Sequence, residues 1–221
     1  MWHWITQTDA GLGARIAAGA VVFAILAIVD LHRHGRNAKR WREYLFLLLC
    51  VGAALTYGVV NDFITSSISW EYFCFGKGLW PDSVSTIPPD PFELHLAASF
   101  VGMKATWTAG LVIGVALLVA NNPRENRPPL SFETLARFLL LIFAVTICAA
   151  AVSGTIGYLG GFAKLSQDFA EMVRHDEMRP RRFMAVFGIH LGGYVGGLIG
   201  TLLAVILIVK RRHRDSTAAR T

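Results

Sequence analysis

Asp62, Glu71, Glu93, His95 and His190 are residues whose side chains can ligate a metal or move a proton, and each stands at or near the end of an apolar run. Carboxylates and imidazoles together form a mixed oxygen and nitrogen donor set. Such a set suits zinc, or iron or manganese where carboxylates dominate. A catalytic metal keeps a position open for water and lowers its pKa. Asp62, Glu71, His95 and His190 are the candidate ligands. Glu71 and His190 are the candidate catalytic residues, with Glu71 as ligand or general base and His190 as ligand or proton shuttle. Each also has a structural reading. A histidine in a glycine-rich span can bond a neighbouring helix, Asp62 can cap backbone groups, and Glu71 can pair with Lys77. Lys104 is the deepest clear cation in a span. It would pair with Asp62 or Glu71, or serve as a base with its pKa lowered by burial.

These residues are positioned by apolar runs. The chain has 221 residues, of which 54% are hydrophobic and 16% charged. A soluble domain carries roughly 25% charged residues. Five runs are long enough to cross a hydrocarbon core of about 30 Å: Leu12–Leu31, Tyr44–Asp62, Leu94–Ala120, Leu135–Gly160 and Met184–Val209. The fold class is therefore all-α, a polytopic bundle of five transmembrane helices. It forms one domain over residues 1–214, with a disordered polar tail over 215–221. The first run lacks a basic segment before it and reads as a retained helix rather than a signal peptide.

The formal charge of +6 is concentrated beside the runs. Arg33, Arg36, Lys39, Arg40 and Arg42 lie between the first two, Arg124 and Arg127 between the third and fourth, and KRRHR follows the last. With five spans these clusters share one side, which the positive-inside rule makes cytoplasmic. The N-terminus is then outside and the C-terminus inside. This pattern encodes topology, not nucleic-acid binding. Asp62, Glu71, Glu93, His95 and His190 all fall toward the outer face. His190 lies about 9 Å along its span, taking Met184 as the start.

The second span leaves the membrane through NDFITSSISWEYF, residues 61–73, a cluster of polar groups beside hydrocarbon, where they are costly without a partner or a role. The outer loop that follows, Phe63–Glu93, contains Cys74 as an unpaired outer thiol and the proline-rich IPPDPF. In the second outer loop Phe162, Leu165, Phe169 and Met172 recur at helical spacing. They predict an amphipathic helix lying on the membrane or packed on the outer ends of the spans. Gly192, Gly196 and Gly200 repeat along the last span, and Gly110, Gly114, Gly154 and Gly157 mark the third and fourth. Small residues at such spacing let helix backbones approach closely. They predict a tight single-chain bundle, with docking of a second subunit or a lipid as the other use.

The polar stretch resembles a segment found in a group of small bacterial membrane proteins. In that group a span ends in His-Asp, followed by a Thr, an Ile-Ser pair and Glu-Tyr-Phe. The last span of the group carries Met-His-Asn before Ser-Tyr and a Gly-Gly pair. Here the corresponding residues are Ile189, His190 and Leu191, then Gly193, Tyr194, Gly196 and Gly197. The resemblance implies a shared polar set of Asp62, Thr65, Glu71, Tyr72, His190 and Tyr194, and location in a bacterial inner membrane. Asn61, Leu191 and Gly193 depart from the pattern, which removes potential ligands of any metal site in the group.

Three functions follow as expectations. One is a site near the outer membrane face, holding zinc or iron and acting on a lipid-linked or exported substrate. Another is a non-catalytic subunit or scaffold assembled through its glycine faces, with a second membrane protein or a second copy as partner. The third is a proton-coupled transporter relaying through Asp62, Glu71, Lys104 and His190. The absence of a visible internal repeat counts against a standard secondary transporter. No nucleotide-binding, serine-hydrolase or zinc-protease motif is present.

Overall fold

A computed structural model describes residues 2–79, 90–123, 127–172 and 179–218. In chain order the helices are α1 (Trp2–His34), α2 (Arg40–Ile68), α3 (Pro91–Ala120), α4 (Phe132–Tyr158), α5 (Ala163–Met172) and α6 (Pro180–Ala218). A 3₁₀ turn, Gly35–Asn37, precedes α2, and a π turn, Tyr72–Gly76, follows it. Five helices, all but α5, are long and apolar enough to cross a membrane. An apolar run in lipid has this one outcome, because only a helix satisfies every backbone group within its own segment.

The helix ends are set by local chemistry. Asp90 caps α3, its Oδ1 accepting from the N–H groups of Phe92 and Glu93 at 2.9 and 3.2 Å. Pro91 takes the first helical position, where a missing N–H costs nothing. The third span therefore begins earlier than Leu94. At the end of α4, Gly160 adopts φ +95°, and the Gly161 N–H reaches back to the Ile156 carbonyl at 2.8 Å. This left-handed closure suits glycine. The final helix continues to Ala218, beyond Arg214.

The largest departure from the sequence expectation is the end of the second span. Helix α2 does not stop at Asp62; it runs on to Ile68. The polar residues there do not break it because their hydroxyls turn inward. Thr65 Oγ1 donates to the Asn61 carbonyl at 2.8 Å, and Ser66 Oγ to the Phe63 carbonyl at 2.9 Å. Back-bonding of this kind satisfies the hydroxyl without ending the helix.

The chain divides into two compact units. The first comprises residues 1–56, 104–141 and 201–221. Within it, buried Asp30 of α1 caps the start of α2, its Oδ2 accepting from the Arg40 and Trp41 N–H groups at 2.9 and 3.2 Å. Gly110 and Gly114 of α3 lie against Cys50, with Ala54 beside the former and Leu47 beside the latter. The Arg212 guanidinium donates to the carbonyls of Ala120, Asn122, Arg127 and Pro128, closing the connection between α3 and α4.

The second unit comprises residues 57–103 and 142–200. Here α4 and α6 meet along small residues. Gly188, Gly192, Gly196 and Gly200 lie against Ser153, Ala149, Thr146 and Ile142, while Gly157 receives the Met184 backbone. Gly102 of α3 meets Gly58 of α2, leaving no room for a Cβ. The glycine stripe of α6 is thus used for packing inside the chain. An apolar cluster of Tyr72, Phe73, Leu94, Ala98, Phe183, Met184 and Val186 closes one end of this unit. Phe162, just before α5, joins it by an edge contact with Phe187 at 5.6 Å, whereas Leu165 is exposed.

Candidate functional site

The site is built on α2, the π turn and α6, all within the second unit. Once α2 continues past Asp62, the residues Asp62, Thr65, Ser66 and Ser69 follow helical spacing and form a polar stripe. All four are buried. Opposite them, α6 presents His190, also buried. Its Nε2 lies 3.7 Å from Asp62 Oδ1 and 3.5 Å from Thr65 Oγ1. Because the Thr65 hydroxyl donates to the Asn61 carbonyl, its oxygen is left to accept from the imidazole. Asn61 donates from Nδ2 to the same Asp62 oxygen at 3.0 Å. A carboxylate and an imidazole therefore face each other across a gap slightly longer than a hydrogen bond.

Aromatic rings hold the imidazole in place. Tyr72 stacks on His190 with ring centroids 4.9 Å apart and planes 18° apart, and Phe73 meets it edge-on at 6.1 Å. The π turn sets this register. Its Lys77 N–H bonds the Tyr72 carbonyl at 2.9 Å, bringing both rings onto α6. Such turns recur at functional sites. The Lys77 ammonium sits 5.5 Å from the Tyr72 ring centroid and is close enough to Asp62 and His190 to act on both electrostatically. Burial, with Tyr194 and Asp62 nearby, pushes the Tyr72 phenol up from its ordinary value.

Glu71 precedes these rings and is only 1% exposed. Its Oε2 accepts from the Ser69 hydroxyl at 2.7 Å, and that hydroxyl oxygen accepts from the Tyr72 N–H at 3.3 Å. Its Oε1 is buried without a hydrogen-bond partner. The expected Glu71–Lys77 ion pair does not form; Lys77 turns to the Tyr72 ring instead. Cys74 is free and buried. Burial, then the charge of Glu71, pushes its thiol up to about 12.

Asp62, Thr65, Tyr72 and His190 are thus brought together. His95 is joined to a different partner: its Nδ1 lies 2.7 Å from Ser66 Oγ, and its ring packs on Phe63 at 4.6 Å. Glu93 is half-buried near the start of α3. Lys104 belongs to the first unit. Tyr194 is 54% exposed. Among the described residues, no three His, Cys, Asp or Glu side chains are gathered to hold a metal. Asp62 and His190 would supply two donors, one fewer than a catalytic zinc commonly takes from protein.

The sequence marks Ser66 and Ser69 only as members of the polar stretch and Lys77 only as a partner for Glu71, and it gives no sign of Tyr57. The two serines were detectable as a helical stripe, but only if residues 63–69 are read as helix. Tyr57 lies one turn before Asn61, and its hydroxyl is 3.0 Å from the position a Cβ would take on Gly193. Comparison with protein-family models, curated proteins and solved structures returns no match.

Proposed function

We propose that this integral membrane protein uses Asp62 and His190 as an acid–base pair toward a polar group of a lipid-linked or exported substrate. In this reading the site lies near the outer face of a bacterial inner membrane, with the N-terminus outside and the basic clusters cytoplasmic. The observation that carries it is the approach of His190 Nε2 to Asp62 Oδ1, 3.7 Å apart and both buried in spanning helices. Ionisable groups in such a setting are functional candidates because hydrocarbon makes them costly. His190 exchanges a proton with the substrate, Asp62 stabilises the protonated ring, and Thr65 and Tyr72 fix its plane. Glu71 is a second buried carboxylate, and its Oε1 lacks an internal partner.

A bound zinc or iron ion is the second reading. The specific support is the Asp62–His190 separation, too long for a strong direct hydrogen bond, which leaves room for an ion held by these two donors and completed by water or substrate. The test compares the envelope lipids of cells lacking the protein with those of cells carrying wild type, His190→Gln or Glu71→Gln. Wild type restores the profile and neither variant does, at equal protein levels; restoration by His190→Gln would remove the acid–base reading. Metal analysis of the purified protein separates the two readings. Stoichiometric zinc or iron that disappears in His190→Ala and Asp62→Ala favours the metal.

A further inference from the structure

Three phenols surround Asp62 and His190. Tyr72 is stacked on the imidazole and only 6% exposed. Tyr57 reaches from α2 to α6, its hydroxyl against Gly193. Tyr194 is four residues beyond His190 and so shares its face of α6. All three are close enough to Asp62 to feel its charge. None of their hydroxyls has a hydrogen-bond partner among the described residues, although other side chains of the site do.

An unpartnered phenol is unusual in a spanning helix. Tyr194 lies well inside α6, a helix long and apolar enough to cross a membrane. The α6 residues around it, Leu191, Val195 and Leu198, are exposed and apolar. A hydroxyl facing hydrocarbon without a partner is costly, and a ligand that brings partners offsets that cost. The polar inventory states what the ligand must offer. The three phenols and Lys77 donate, while Asp62 accepts. Nearby charge is mixed, with Lys77 balancing a carboxylate. A group that only accepts, such as a bare phosphate, would meet Asp62 unfavourably. A group that both donates and accepts satisfies the set.

We infer that the site binds a hydroxyl-rich head group carried on an amphiphile, held by Tyr57, Tyr72 and Tyr194 and entering from the bilayer past Tyr194. The inference rests on the acid–base reading above, whose substrate class it names.

The test uses the full-length protein in nanodiscs of phosphatidylcholine, whose head group has no hydroxyl, doped with monoglucosyl diacylglycerol of the same acyl chains. Lipid retained by the protein is counted by native mass spectrometry. Wild type retains the glucolipid about tenfold above its share of the disc, and a Tyr57→Phe/Tyr194→Phe double variant of unchanged thermal stability loses most of that preference. No preference in wild type, or full preference in the double variant, overturns the inference. Equal retention of phosphatidic acid, which offers phosphate without a polyol, overturns the head-group class. Preference lost in Asp62→Asn but kept in the double phenol variant leaves the acid–base pair standing and removes the phenols from recognition.

Discussion

At the residue scale the account turns on what burial does to reactive groups. The Cys74 thiol, pushed up to about 12 by burial and by Glu71, is almost wholly protonated at neutral pH. Because the thiolate is the nucleophile, Cys74 should react slowly at pH 8 and faster as pH rises. Maleimide should therefore leave Cys74 unlabelled in the folded protein and label it after denaturation, which peptide mass mapping reads directly. His190 predicts a different outcome. Its ring packs against both Tyr72 and Phe73, so His190→Ala removes packing as well as a proton carrier. We expect a loss of about 2 kcal/mol in stability for His190→Ala and a smaller loss for His190→Gln. Thermal unfolding of the detergent-purified variants checks the order.

At the element scale, two features decide whether the site is assembled. The first is the backbone contact between α4 and α6. Replacing Gly192 by Leu would drive a side chain into the Ala149 backbone, so the second unit should lose its fold or shift its melting temperature by many degrees. Replacing Gly52, which has open space around it, should be nearly neutral. The second is the length of α2, and it shows what was legible beforehand. All five spans were readable from apolar runs, since lipid permits such runs only one structure. The end of α2 was not, because Thr65, Ser66 and Ser67 resemble an exit from the membrane until their hydroxyls are seen bonded to Asn61 and Phe63. Misplacing that end hid the stripe. Asp62, Thr65 and His190 were visible as residue types, but the pairing of His95 with Ser66 rather than with Asp62 depends on how α3 meets α2 at Gly102 and Gly58. Nothing in sequence spacing encodes that approach.

At the scale of the whole molecule, the basic residues predict how the chain sits in its membrane. Arg36, Lys39 and Arg40 near the start of α2 and Lys210, Arg211 and Arg214 on α6 belong to the cytoplasmic side in the proposed orientation. A cysteine replacing Lys164 on α5 should react with an impermeant maleimide in intact cells, and one replacing Asn122 should react only after lysis. The reverse pattern would place the Asp62–His190 site at the inner face and change the class of substrate it can reach. The glycine stripe of α6, expected to pack within the bundle or to recruit a partner, lies against α4. The chain's own polar groups, rather than that stripe, are therefore the place to look for activity.

In the proposed function Asp62 and His190 act as one acid–base unit. Residues that act as a unit give non-additive losses, so the decisive measurement is restoration of the envelope-lipid profile by Asp62→Asn, His190→Gln and the double variant at matched expression and melting temperature. Each single variant should lose restoration as fully as the double does. Full restoration by either single variant, or losses that simply multiply, would contradict it.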